Sequence, residues 1–358
     1  MRHPVLWRVR DIDCRVSPAV VGLDSRSVLA LPRALCAAVV LLLLAVLSGC
    51  GESSTPSSPV AKGAAVGDAD AFPRDVEHAA GTTKIDELPE RVVVLDDYTD
   101  LDHLVALGVT PVAFGFTNAW ETGLTPWQEA AGIGDIEQLD ATSDVSMELV
   151  AAQRPDLIIG MQNPVVDEFD GLSAMAPTVG LSWNGEWRSD LRTIAAAVGR
   201  DDRAEELVAE VEDAIAALAK ELAPLADRTI MIGSKFGDVL YLQGDGSPLV
   251  KLLRELGLTV KTTTAEALAE LSLEEIGKLE DADILLSLAT DPAATRSLEG
   301  ESLFQRLPAV EGGRYTAIDN IDTRSLADGF GPLSYEHALG VLRDVLPSTA
   351  AGKGAPLS

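Results

Sequence analysis

"DDRAEELVAEVEDAIAALAKEL", Asp201 to Leu222, decides how the rest of the chain is read. Ala204, Leu207, Val208, Val211, Ile215, Leu218, Leu222 and then Leu225 recur at steps of three and four, with Glu205, Glu206, Glu210 and Glu212 among the polar positions. This spacing lays one apolar stripe along a helix. At 1.5 Å per residue, about 22 residues extend roughly 33 Å, the length of a small domain. On both sides of this rod the period changes. Upstream, "RVVVLD" (91–96) is a short buried-strand run, followed by a helical pattern from Asp100 to Leu107 that Gly108 ends. "VTPVAFG", "PDLIIG" and "APTVGL" repeat the strand theme, and "VEHAAGTTKI" (76–85) reads as a hairpin about Ala80-Gly81. Downstream, "RTIMIGSKF", "DVLYLQG", "ADILLSLA" and "RYTAID" resume it. Strands alternating with helices define an α/β protein.

The second half echoes the first. "LVALGVTPV" (104–112) resembles "LRELGLTVK" (253–261), and "VSMELVAAQRPDLIIG" (145–160) resembles "LSLEEIGKLEDADILLS" (271–287). The expected architecture is therefore two Rossmann-like α/β lobes joined by one long α-helix, with a ligand cleft between them. The expected divisions are an N-terminal lobe at 76–200, the interlobe helix at 201–227, a C-terminal lobe at 228–347 and a tail at 348–358.

The first fifty residues are of another kind. An apolar core of about 14 residues (34–47) is shorter than the roughly 20 needed to span a bilayer as a helix. Arg33 precedes it and Leu47-Ser48-Gly49-Cys50 closes it, the order of a secretory signal. Leu-Ser-Gly-Cys also resembles the bacterial lipobox, which implies lipidation of Cys50 and a new N-terminus there. The leader before it is long and carries Asp11, Asp13 and Asp24, so translation is expected to start downstream of Met1. Residues 51–75 are Ser, Pro, Gly, Ala and Asp with few large apolar side chains, the composition of a flexible tether.

Of the three cysteines, Cys14 and Cys36 would leave with the signal and Cys50 would carry lipid, so no disulfide is expected. The formal net charge is −28, and the first fifty residues hold six Arg and three Asp, so the remainder carries −31. Such a chain does not suit nucleic acid or flat adsorption to anionic lipid. His78, His103 and His337 sit in three different predicted elements without HxH or HxxxH spacing, which disfavours a bare-metal site. Haem needs an axial ligand such as Tyr, His or Met, and Tyr98 or Tyr241 could serve. There is no nucleophile elbow, phosphate loop or Cys/His pair, and Gly244-Asp245-Gly246 reads as a turn. No enzyme is expected.

"ERVVVLDDYTDLDHLVALGVTPVA", "SMELVAAQRPDLIIG", "GEWRSDLRTIAAAVGR" and "GPLSYEHALGVLRDVL" run in the order found in the periplasmic-binding-protein group that serves ABC importers of ferric siderophores, cobalamin and haem. The chain resembles that group over most of residues 76–347. The resemblance implies two lobes on a rigid helix and a monomeric, lipid-anchored extracytoplasmic receptor on the outer face of the cytoplasmic membrane. It would deliver a ferric siderophore, hydroxamate favoured by the acidic chain, to a permease and its ATPase. It implies no cofactor, since iron would arrive only as the chelate. Haem or cobalamin is the alternative cargo, and a secreted surface enzyme or adhesion protein on the same scaffold the remote one.

Candidate residues follow. Glu148 and Glu274 occupy equivalent places in the echoing segments, where the resemblance implies docking to the permease and local chemistry offers helix capping instead. Trp120, Trp183 and Trp187 are expected at the ligand wall, whereas Trp127, after Pro126, suits burial. Arg188 beside Trp187 could donate forked hydrogen bonds to chelate oxygens, and Arg192 could simply pair on the surface. Tyr98, Lys235, Phe236, Tyr241, Arg324 and Phe330 complete the cleft set.

Overall fold

A computed structural model describes residues 67–97, 99–117, 124–141, 146–182, 186–327 and 330–357. Cys50, Tyr98, Trp120 and Trp183 lie outside the described residues. Strands β1 (Arg74–His78) and β2 (Gly81–Ile85) pair antiparallel across Ala79-Ala80. Gly81 opens β2 at φ 139°, a conformation that side chains disfavour.

A parallel sheet follows. It is built from β3 (Val92–Val94), α1 (Thr99–Ala106), β4 (Ala113–Phe116), α2 (Pro126–Ala130), β5 (Glu137–Asp140), α3 (Met147–Ala152), β6 (Leu157–Met161), α4 (Gln162–Met175) and β7 (Thr178–Leu181). The strand order is β5-β4-β3-β6-β7, all parallel. All of β3 and β6 is buried, as expected of parallel strands covered on both faces. That is why they read as unbroken apolar runs.

Helices α5 (Trp187–Ala197) and α6 (Asp201–Leu222) come next, and α6 passes into a 3₁₀ turn, Ala223–Leu225, at Pro224. The apolar stripe of α6 is divided between two interiors. Ala204, Leu207 and Val208 close the core around β3, β6 and β7, while Val211, Ile215, Leu218 and Leu222 close the core of the second sheet. One helix face thus seals both halves.

The second half comprises β8 (Thr229–Phe236), β9 (Val239–Gln243), α7 (Pro248–Glu255), β10 (Thr259–Val260), β11 (Leu268–Leu271), β12 (Ile284–Leu288), α8 (Pro292–Gly300), α9 (Ser302–Gln305), α10 (Pro308–Glu311), β13 (Tyr315–Ile318), α11 (Asn320–Ala327) and α12 (Tyr335–Ala350). Its sheet runs β11-β9-β8-β12-β13, with β10 beside β8. Here the two sheets diverge. Strand β8 turns back into β9 through Gly237, at φ 54°, so β9 and β11 run antiparallel while β10, β12 and β13 pair in parallel. The internal echo survives at the helix ends. Gly108 after α1 and Gly257 after α7 sit at φ 80° and 77°, where glycine closes a helix cheaply. It is looser in the second pair of segments, where α3 precedes β6 but a 3₁₀ helix, Leu273–Leu279, precedes β12.

Trp127 is buried, and its Nε1–H donates to Asp102 Oδ2 at 2.8 Å. No helix among the described residues is long and apolar enough to cross a membrane.

Candidate functional site

Parallel strands end with their carbonyl edges on one side, and ligands of open α/β sheets gather there. In the first sheet Thr99 follows β3, Met161 ends β6 and Ser182 follows β7. In the second, Phe236 ends β8, Leu288 and Thr290 lie at the end of β12, and the antiparallel β9 adds Tyr241 and Gln243 from along its length. All of these line one cavity of about 520 Å³, together with residues of α5, α7 and the segment before α12. That volume is in the range of small-molecule sites, roughly 300–1,000 Å³.

Its apolar wall is Met161, Trp187, Phe236, Leu252, Leu268, Leu288 and Phe330. Phe236 is 64% exposed and Leu268 47%, unusual for such side chains unless something covers them. Trp187 lies at the junction, packed against the cores of both halves. It meets Phe330 edge to face at 6.1 Å and carries the Arg188 guanidinium 4.5 Å above its ring. Hydroxyl and amide groups of Thr99, Ser182, Ser234, Tyr241, Gln243, Ser247 and Thr290 are spaced around this wall.

The charges are Glu186, Arg188, Asp190, Lys251 and Glu255. Arg188 is heavily committed: Nη1 donates to Glu186 Oε1 at 2.8 Å, Nε to Glu212 Oε1 at 2.8 Å, and Nη1 and Nη2 reach the two Glu255 oxygens at 3.3 and 3.2 Å. Burial works against its charge, but the three glutamates outweigh it and hold the guanidinium above its ordinary range. The Glu255 link joins α5 of the first half to α7 of the second. Asp190 is the opposite case. Burial first, and Glu186 second, push its carboxyl up to about 7, and no described residue pairs with it.

Of the residues singled out from the sequence, Trp187, Arg188, Phe236, Tyr241 and Phe330 meet in this cavity. Lys235 and Arg324 do not. Side chains alternate along a strand, so Ser234 and Phe236 face the cavity while Lys235 turns to the other face, buried, its Nζ donating to Ser297 Oγ on α8 at 3.2 Å. Arg324 is buried on α11. Its Nη2 donates to the Asp97 carbonyl at 2.6 Å and lies 3.6 Å from Asp97 Oδ2, an ion pair between the two halves. Arg192 pairs on the surface with Glu205 at 2.6 Å. Glu148 and Glu274 are both exposed. The Ser146 hydroxyl donates to Glu148 at 2.8 Å and lowers its pKa, whereas no described cation pairs with Glu274.

The sequence reading missed Met161, Asp190, Gln243, Lys251, Glu255 and Leu268. Only Asp190 carried a signal, an acid in the first turn of the helix that supplies Trp187 and Arg188. His78, His103 and His337 are dispersed: His78 hydrogen-bonds Thr83, His103 is interior and His337 pairs with Asp322. Among the described residues no group of three or more His, Cys, Asp or Glu is arranged to hold a metal ion.

Residues 92–321 match the family described as periplasmic binding protein. The chain is 29% identical over 211 residues to a probable siderophore-binding lipoprotein of Bacillus subtilis, YfiY. That alignment covers 58% of this chain and 59% of the relative, less than two thirds of its length. It is 26% identical over 286 residues to the Fe(3+)-citrate-binding protein YfmC of the same organism, covering 78% of this chain and 87% of the relative. The crystal structure of Streptococcus pneumoniae PiaA in complex with ferrichrome is similar in fold, with a TM-score of 0.66, 21% identity, and coverage of 78% of this chain and 99% of that one.

Proposed function

The chain belongs to the periplasmic binding protein family, and on that premise we propose that it is the extracytoplasmic lipoprotein receptor of an ABC importer for a ferric siderophore. The observation that carries this is the 520 Å³ cavity between the two sheets, walled by Trp187, Phe236, Leu268 and Phe330 and edged by hydroxyl and amide groups. Such a wall suits a large, partly apolar organic chelate. The chelate's own oxygens hold the iron, and the protein supplies stacking surface and hydrogen bonds. The role is carriage, and no catalytic step is required.

The balance of charge favours a neutral or cationic chelate, such as a ferric trihydroxamate, over a trianionic catecholate. Arg188 is already shared among Glu186, Glu212 and Glu255, so a catecholate would have to displace them. Lys251 is then the one lining cation that engages no described carboxylate. Names of relatives fit the wider reading, since one is a probable siderophore-binding lipoprotein and one an Fe(3+)-citrate-binding protein. Cys50 would anchor the receptor through lipid, and exposed Glu148 and Glu274, one on each half, would dock it to the permease.

Titration of the purified protein, followed by tryptophan fluorescence, tests the ligand class. Saturable quenching by a ferric trihydroxamate, weaker with a ferric tris-catecholate, is the expected result. Tyr241, on the cavity wall, supports haem as a second reading because a phenolate can ligate haem iron. Saturation by hemin or cobalamin with no response to any ferric siderophore would replace the proposed cargo.

A further inference from the structure

Arg188 is the only arginine among the described lining residues, and its three glutamates differ in what holds them. Glu212 stands on α6 outside the cavity wall and accepts from Nε at 2.8 Å. Glu186 lines the cavity but is tied to its own helix: it caps α5, accepting from the Ser189 amide at 3.3 Å, and takes an Nη1 hydrogen at 2.8 Å. Glu255, the last residue of α7, lines the cavity from the other half. Its oxygens meet Nη1 and Nη2 at 3.3 and 3.2 Å, and no other described donor engages them.

Two parallel N–H···O contacts are the fork by which a guanidinium grips a free carboxylate. Bonds of this kind run at about 2.7–2.9 Å, so the Glu186 and Glu212 links are of ordinary length and the Glu255 fork is the loosest of the three. Stacking on Trp187 at 4.5 Å and the Glu212 bond fix the guanidinium plane. The Nη1–Nη2 edge that an anionic cargo would grip is therefore the edge that Glu255 holds, and both partners of this fork belong to the cavity wall.

We propose that Glu255 is a built-in stand-in for an anionic cargo, a specificity-determining residue that occupies the forked arginine edge and so turns the receptor away from anionic chelates. This rests on the siderophore reading and deepens it by naming the residue that selects. A catecholate or carboxylate arm must open the fork and then lie beside the anion it displaced, whereas a neutral trihydroxamate leaves the fork closed. Since the fork joins α5 of one half to α7 of the other, an anionic cargo also undoes a tie across the cleft.

Purified wild type, Glu255→Ala and Glu212→Ala, titrated with a ferric trihydroxamate and a ferric tris-catecholate, test this through the ratio of the two Kd values, catecholate over trihydroxamate. Each variant removes one negative charge beside Arg188, but only the first opens the fork. The wild-type ratio should exceed one. Glu255→Ala should lower it by about tenfold or more, the scale of one hydrogen bond to a charged group. Glu212→Ala should lower it by no more than about threefold, as expected of an exposed, screened charge. Glu255→Gln, which keeps the volume and drops the charge, should shift the ratio in the same direction as Glu255→Ala and guards against a folding defect in the truncated variant. A wild-type ratio at or below one, or a ratio unmoved in both Glu255 variants, would overturn the filter and leave the siderophore reading intact. Equal shifts in Glu255→Ala and Glu212→Ala would also overturn it, because net charge alone would then account for the preference. Failure of both chelates to bind the wild type would remove the siderophore reading and the filter with it.

Discussion

Truncating Phe236 to alanine should separate ligand affinity from stability. The side chain is 64% exposed at the end of β8. With about 200 Å² for a phenylalanine side chain, roughly 130 Å² of it is open to solvent on a residue that lines the cavity. Little packing is lost on truncation, so the unfolding free energy should change by less than about 1 kcal/mol. A bound chelate that covered half of the open area would remove about 65 Å² from water, worth about 1.6 kcal/mol at 25 cal/mol per Å². That corresponds to a roughly 15-fold rise in Kd. Fluorescence titration with a ferric trihydroxamate, paired with urea unfolding, measures both quantities. An unchanged Kd with normal stability would refute the placement of the ligand against this wall. A large loss of stability would refute the claim that Phe236 is held in reserve for a ligand.

Leu218 is fully buried where α6 enters the second core, and Leu218→Ala should cost about 2–5 kcal/mol in urea unfolding. Charge reversal of Glu148 and Glu274 to Lys should abolish cellular uptake while titration shows unchanged chelate affinity; loss of affinity would contradict docking. Asp190 gives a pH signature. Its carboxyl is raised to about 7 in the folded protein, first by burial and then by Glu186. Between about pH 4 and 7 the folded chain therefore holds a proton that the unfolded chain has released, and Asp190 lowers stability as pH rises through that window. Asp190→Asn removes this contribution, so the variant should gain on the wild type by on the order of 2–4 kcal/mol from pH 4 to 7 and no further above it. A pH-independent difference in urea unfolding would contradict the shift.

The stripe in α6 and the strand runs were legible because each is a periodicity that one sequence displays by itself. Val92-Val93-Val94 reads as a covered strand because nothing polar interrupts it. Gly108 and Gly257 mark helix ends because their backbone needs a positive φ. The cavity was only partly legible, since aromatic residues are scarce enough in this chain for Trp187, Phe236 and Phe330 to stand out. Charged residues were not. Lys235 and Arg324 looked like cleft cations, but which face of β8 a lysine takes depends on sheet register, and Arg324 is drawn inward by Asp97, 227 positions away. Arg188 does reach the cavity, yet its partners Glu212 and Glu255 come from other helices, so its lack of spare donors is a property of the assembled fold.

The division of the α6 stripe, three apolar residues into one interior and four into the other, ties the fates of the halves together. If either half came apart, its share of those side chains would be left in water on a helix still docked to its neighbour, and the surviving half would fray from that edge. Heating should therefore melt both in a single cooperative transition, with calorimetric and van't Hoff enthalpies in agreement.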